Sequence, residues 1–245
     1  MINFCVSLTS LPSRIHYIDQ TLDSINSQTL KPNKIFLNLP YKLKRFSQEA
    51  FDQEKIKKLN RDNLEIVRCD DFGPGTKLMG PFQKIRKDYE CIILIDDDHI
   101  YHKKTFEIFI ENFKKEKINY SYYVNKIFNI NYGQGADGFL INTKYLDDIE
   151  KFYNKYVVNN NNLFLDDDLW IAIYLYCEKK TKIKNLIDEF KRITKEDLVY
   201  KQNINHDINA LKQTVHSSKK FINRRKIQKI EYLKYFFIKK LTNRI

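Results

Sequence analysis

Glycine and proline are scarce in this chain, six and five residues in 245, which excludes collagen-like and low-complexity sequences. Long apolar runs are missing too. The longest, residues 91–95 and 169–177, fall well short of the roughly 20 residues that span a bilayer, so no integral membrane segment is expected. There are only four cysteines, Cys5, Cys69, Cys91 and Cys177, and no CxxC or Cys/His spacing of the kind zinc sites use. Three of them lie in or beside aliphatic stretches, where a thiol serves as a small core hydrophobe, and all four read as reduced and structural. The first residues lack the basic stretch followed by an apolar one that a signal peptide needs. A cytoplasmic location is therefore expected.

What is present describes a folded globular protein: 42% hydrophobic and 14% aromatic residues. The length suits one α/β core with an appendage better than two enzymatic domains. The formal charge of +12 resembles a nucleic-acid signature until it is divided along the chain. Residues 1–190 carry 28 Lys and Arg against 27 Asp and Glu, whereas residues 191–245 carry 15 against 4. The body is nearly neutral and the basicity belongs to the C-terminal segment. We therefore expect a catalytic domain over residues 1–190 and a basic, mainly helical extension over 191–245, packed on it or trailing from it.

Residues 3–9 read as a strand, followed by turn chemistry through Ser10 to Arg14. Ile18, Leu22 and Ile25 recur at spacings of four and three and predict a helix over 17–25. Strands are predicted at 34–39 and 64–69, with a charged helix over 47–60 between them. Gly73-Pro74-Gly75-Thr76-Lys77 is a glycine-rich turn leading into a helical stretch to about residue 87. The unbroken aliphatic run 91–95 suits a central strand covered on both faces, as in parallel α/β sheets. This alternation predicts an open, mostly parallel sheet flanked by helices. Beyond it, a helix is predicted over 105–117. Strands at 120–127 and 138–142 surround a Gly133-Gln134-Gly135-Ala136-Asp137-Gly138 loop. A helix follows at 146–156, then a polar connector at 159–162 and a helix from Leu169.

Asp96-Asp97-Asp98 follows the central strand, at the carboxyl edge where open α/β sheets bind ligands. Three adjacent carboxylates repel one another unless a cation sits among them, and Mg²⁺ and Mn²⁺ favour such oxygen donors. The plainer reading is a solvated acidic turn. A second triad, Asp166-Asp167-Asp168, precedes a helix, where aspartates also serve simply as caps.

The ordered set Gly73-Pro74-Gly75-Thr76-Lys77, Ile95-Asp96-Asp97-Asp98 and Asp167-Asp168-Leu169-Trp170 resembles small A-type (GT-A fold) glycosyltransferases, over about residues 1–180. Those enzymes carry a Gly-Pro-Ala-Thr-Lys-like segment, a DxD motif and a later acidic pair. The resemblance implies an enzyme of that fold that moves a sugar from a nucleotide-diphosphate sugar to a hydroxyl acceptor on a glycan, glycoprotein or glycolipid. A UDP-sugar is favoured because uridine donors are so widely used by enzymes of this kind. It implies that Asp98, with Asp96, holds Mn²⁺ or Mg²⁺ on the donor diphosphate, and that Asp97 belongs to the same donor site. Asp168, beside Asp167, matches the base that deprotonates the acceptor in inverting enzymes. Gly135 and Gly138 match the loop that shapes the sugar pocket, although each could equally serve a turn.

Thr9, Arg14 and Lys77 lie at or just after predicted strand ends, on the edge expected to hold the donor's nucleotide and phosphates; Arg14 and Lys77 could also be ordinary exposed cations. Such enzymes often complete the metal site with a later histidine, for which His206 and His216 are in range, although neither has a decisive spacing. His99 and His102 are expected to be structural.

The C-terminal segment interleaves aromatics with lysines, as in Tyr232, Tyr235, Phe236, Phe237, Lys239 and Lys240. It reads either as a peripheral membrane contact or as a helix that packs its aromatics on the domain. Two other functions compete: a metal-dependent nucleic-acid enzyme and a non-catalytic nucleotide-sugar-binding protein. The near-neutral body and the order of the motifs disfavour the first, so no nucleic-acid partner is expected, and the intact acidic motifs weigh against the second.

Overall fold

The computed structural model describes residues 2–194 and 218–242. Seven strands form the main sheet: β1 (Phe4–Thr9), β2 (Lys34–Pro40), β3 (Leu64–Cys69), β4 (Cys91–Leu94), β5 (Asn119–Ser121), β8 (Phe139–Asn142) and β9 (Ile183–Asn185). Their spatial order is β3-β2-β1-β4-β8-β5-β9. Every pairing is parallel except those of β8, which runs antiparallel to both β4 and β5. The mostly parallel sheet expected from the sequence is thus present, with one reversed strand. A separate hairpin, β6 (Val124–Ile127) and β7 (Ile130–Gly133), turns at Phe128, whose φ is 51°.

The central strands are apolar on both faces because each face has its own core. On one side Phe4, Val6 and Leu8 of β1, with Cys91 and Ile93 of β4, pack with α1 (Ile18–Asn26) and α5 (Thr105–Lys115). Ile18, Leu22 and Ile25 form the buried stripe of α1, as their spacing predicts. On the other side Cys5, Ile92 and Leu94 belong to a second core that also holds Trp170 of α8 (Asp167–Ile173) and Tyr232 and Tyr235 of the C-terminal helix α10 (Ser218–Thr242). Strand alternation divides one sequence run between two cores. All four cysteines are free thiols.

Several boundaries depart from expectation, each for a local reason. The charged stretch 47–60 is helical only over α2 (Gln53–Lys58), whose cap Asp52 accepts from Glu54 N and Lys55 N; this helix buries no residue. The helix after the glycine turn is interrupted at Gly80-Pro81, giving α3 (Thr76–Met79) and α4 (Phe82–Asp88). The run 120–127 splits between β5 and β6, which lie in different sheets. The helix at 146–156 becomes α6 (Ile149–Phe152) followed by a π-turn, Tyr153–Val157. The polar connector is partly helical: Asn160 caps α7 (Asn161–Phe164) by accepting from Asn162 N and Leu163 N. The last described helix before residue 195 is α9 (Ile187–Thr194). Among the described residues, no helix is long and apolar enough to cross a membrane.

Candidate active site

Loops from distant parts of the sequence meet at the carboxyl edge of β1 and β4, and their charges interlock. Arg14, in the turn after β1, places Nη2 3.1 Å from Asp97 Oδ1 and Nη1 2.9 Å from Asp98 Oδ2. Ser10 Oγ donates to Asp97 Oδ2 at 2.5 Å, and Thr21 Oγ1 donates to the Asp97 carbonyl at 2.9 Å. Burial nevertheless pushes the Asp97 carboxyl up to about 6, with Asp98 and Asp96 adding to the effect and Arg14 and Ser10 opposing it. His99 Nδ1 lies 2.7 Å from Asp98 Oδ1. Burial disfavours the charged imidazole, but Asp98, with Asp96 and Asp137, outweighs it and raises the His99 pKa.

Lys77, in the first turn of α3, is 3% exposed and sits between the two acidic triads. Its Nζ is 2.6 Å from Asp96 Oδ1 and 3.1 Å from Asp167 Oδ2. Burial works against the ammonium, yet Asp167, Asp96 and Asp168 together hold its pKa above the ordinary lysine value. It is an internal counterion, not an exposed cation. Ser7 Oγ fixes its backbone by donating to the Lys77 carbonyl at 2.5 Å.

The second triad divides its work. Asp166 is the cap: its carboxylate accepts from Leu169 N at 3.4 Å, and also from Gln228 Nε2 at 2.7 Å and from Nε and Nη2 of Arg224 at 3.2 Å each. Asp167 turns to Lys77 instead, and Asp168 Oδ1 accepts from Gly135 N at 2.9 Å. Burial and then Asp167 push the Asp168 pKa well above the usual carboxylate range, against Lys77. Capping therefore accounts for one aspartate of three.

Gly135 owes its identity to this crowding. A Cβ there would stand 2.5 Å from Lys77 Nζ and 3.6 Å from Asp168 Oδ1. Gly138 has a different reason: its φ is +92° and a Cβ would meet the Phe109 ring at 2.9 Å, so it serves the turn and the core. Tyr101 ties the loop to the first triad, its hydroxyl donating to the Ala136 carbonyl at 2.9 Å and accepting from Asp96 N at 3.1 Å. Beside it Asp137 is raised to about 6 by burial and by Asp96, with His99 opposing.

A cleft of about 180 Å³, open to solvent, leads into the cluster and is lined by Thr9, Arg14, Arg45, Asp71, Lys77 and Asp96 among others. Thr9 Oγ1 is turned to the Asn38 carbonyl at 2.7 Å. Asp71 holds the cleft's rim by accepting from Lys44 N at 2.7 Å and Gly73 N at 2.8 Å.

The structure thus brings together Thr9, Arg14, Lys77, Asp96, Asp97, Asp98, Gly135, Asp167 and Asp168. It keeps Gly138 aside, and His206 and His216 lie outside the described residues. His102 is structural as expected, its Nδ1 accepting from Lys104 N at 3.2 Å before α5. His99 is more than that, since it contacts Asp98. Sequence reasoning also passed over Ser10, Tyr101 and Asp137; Ser10 and Asp137 lie in the loops it marked, one residue past a strand end and inside the glycine loop.

Among the described residues no three His, Cys, Asp or Glu side chains converge as a metal cage. Asp96 and Asp98 turn oxygens to Lys77, Arg14 and His99. Yet the donor chemistry fits a hard divalent ion: Asp96 is 37% exposed at the cleft, and the six aspartates of the two triads surround three permanent cations, Arg14, Lys77 and Arg224. Mg²⁺-type sites commonly use one or two carboxylates and leave the remaining positions to phosphate oxygens and water.

Comparison with family profiles and with curated proteins finds no match. Among solved structures, the chain is similar to the mannosyltransferase PcManGT of Pyrobaculum calidifontis in complex with GDP-Man and Mn²⁺ (TM-score 0.52, 11% identity, 75% of this chain and 54% of that one). It also matches residues 1–349 of S. aureus TarS in complex with UDP-GlcNAc (0.47, 13%, 71% and 54%). A third match is the 4-diphosphocytidyl-2C-methyl-D-erythritol synthase of Anaerococcus prevotii (0.48, 12%, 74% and 87%). The chain spans about half the length of the first two. At such identities the likeness concerns the fold, and the fold is α/β of the GT-A type.

Proposed function

We propose that this protein is a glycosyltransferase that moves a sugar from a nucleotide-diphosphate sugar, with UDP-sugars the first donors to test, to an acceptor hydroxyl with inversion. The observation that carries the reading is the meeting of Asp96, Asp167 and Asp168 around buried Lys77, at the mouth of a cleft on the carboxyl edge of a GT-A-type sheet. Arg14 and Lys77 line the cleft and supply positive charge where a diphosphate would lie. Asp96 and Asp98 are the residues to hold Mn²⁺ or Mg²⁺ there. Such an ion would neutralise charge developing on the departing nucleotide. Asp168 takes the acceptor's proton as the hydroxyl oxygen bonds to the anomeric carbon and the bond to the diphosphate breaks. Its raised pKa supports that role, because a carboxylate that holds its proton more tightly is a stronger base than an ordinary one. Gly135 N, bonded to Asp168 Oδ1, orients it.

The test is calorimetric binding of UDP, GDP and dTDP, each with and without Mn²⁺, to wild type, Asp98→Ala and Asp168→Asn. One nucleotide should bind in a Mn²⁺-dependent way, and Asp98→Ala should weaken it by about tenfold or more. Asp168→Asn should keep that binding and lower transfer by about 10²–10⁴. Equal loss of binding in both variants would contradict the separate roles. No binding of any nucleotide by the folded wild type would sink the reading.

A further inference from the structure

Helix α10 is apolar on two opposite sides, and the described residues cover only one of them. Its inner side buries Tyr232, Tyr235, Gln228 and Glu231 against the domain. On the outer side Ile230, Leu233, Phe237 and Leu241 follow at spacings of three, four and four, which puts them on one face. They are 42%, 54%, 66% and 51% exposed. Soluble proteins rarely leave so continuous an apolar stripe in water without a use for it. Exposed lysines border the stripe: Lys226, Lys229, Lys234 and Lys240. Over the whole helix nine Lys and Arg stand against one Glu, and that Glu231 is buried on the inner side.

We propose that the outer face of α10 docks in the plane of an anionic lipid bilayer. An apolar centre flanked by lysines is the pattern of a helix that lies in the headgroup region, its aliphatic side chains entering the acyl boundary while the ammonium groups meet lipid phosphates. Charge selects this occupant. A second copy of α10 laid face to face would set lysines against lysines. A polynucleotide would satisfy the lysines but offers nothing to a stripe of Ile and Leu. An apolar cleft beside the stripe, lined by Tyr176, Tyr232 and Phe236 with Lys180 and Lys240 at its edge, extends the same chemistry. The helix is tied inward through Arg224 and Gln228 to Asp166, so docking would fix the orientation of the acidic cluster to the lipid surface. The inference stands on exposure and charge alone and does not depend on the transferase reading.

The test is flotation of the intact chain with vesicles of phosphatidylcholine alone or with about 30% phosphatidylglycerol. Wild type should partition at least about tenfold more strongly to the anionic vesicles and release in high salt. The exposed-face variant Ile230→Glu/Phe237→Glu should lose that partition while its circular dichroism spectrum and melting temperature stay those of wild type. Lys226→Gln/Lys240→Gln should weaken it in part. Wild type remaining unbound to both vesicles, or binding both equally, overturns the proposal. So does unchanged partition of the Glu variant, or a wild-type dimer that this variant dissolves.

Discussion

At Gly135 a hydrogen in place of a methyl group sets how closely the loop approaches Lys77 and Asp168. Lysine can usually swing away from an intruder, but here its ammonium is held by Asp96 and Asp167. Gly135→Ala should therefore cost about 1–3 kcal/mol in urea unfolding and weaken nucleotide binding as well. Gly138→Ala, strained at positive φ and against Phe109, should cost stability with less effect on binding. If both variants bind nucleotide like wild type, the loop does not shape the cleft. Asp97 makes a prediction about pH. Its folded pKa of about 6 lies above that of an unfolded aspartate, about 3.9. The folded chain thus holds this proton more tightly, and the stability it confers is full below about pH 4 and lost as pH rises through about 6. Asp97→Asn removes that dependence. Between pH 4 and 7 its unfolding free energy should gain on wild type by up to about 3 kcal/mol. A difference constant over that range would refute the assignment.

Among the elements, helices with a partner face were the legible ones. The stripes of α1 and α5 announce themselves because each has a core to face. The charged stretch 47–60 reads as helical by composition alone, and α2 within it, burying no residue, stays short. The reversal of β8 left no mark, because a strand covered on both faces reads the same in either direction. Helix α10 buries Tyr232 and Tyr235 against the domain, but its inner face does more than cover a core. Arg224 and Gln228 hold Asp166, which caps the helix that bears Asp167 and Asp168. Replacing both by alanine leaves a buried carboxylate with its cap contact alone. We expect a loss of about 1–3 kcal/mol in urea unfolding, with transfer reduced well beyond any change in nucleotide affinity. Weakened nucleotide binding with transfer lost in the same proportion would mean that α10 acts on the whole cleft.

Over the molecule as a whole, the sequence exposed the site's raw material and hid its wiring. Aspartates and glycines beyond strand ends could be found because an α/β sheet collects those ends at one edge. That Lys77 bridges two triads, that Asp137 lies beside His99, and that Ser10 bonds Asp97 are facts of folding between segments far apart in sequence. The cluster is braced from both sides: Arg14 and Ser10 hold the first triad, Arg224 and Gln228 the second. Asp168 leaves the ribosome about 56 residues ahead of Arg224. At about 5–20 residues per second, that interval lasts on the order of 3–11 s. During it the nascent chain holds both triads while Asp166 still lacks its outer clamp. The second triad gains this clamp when α10 is made, after β9 of the sheet.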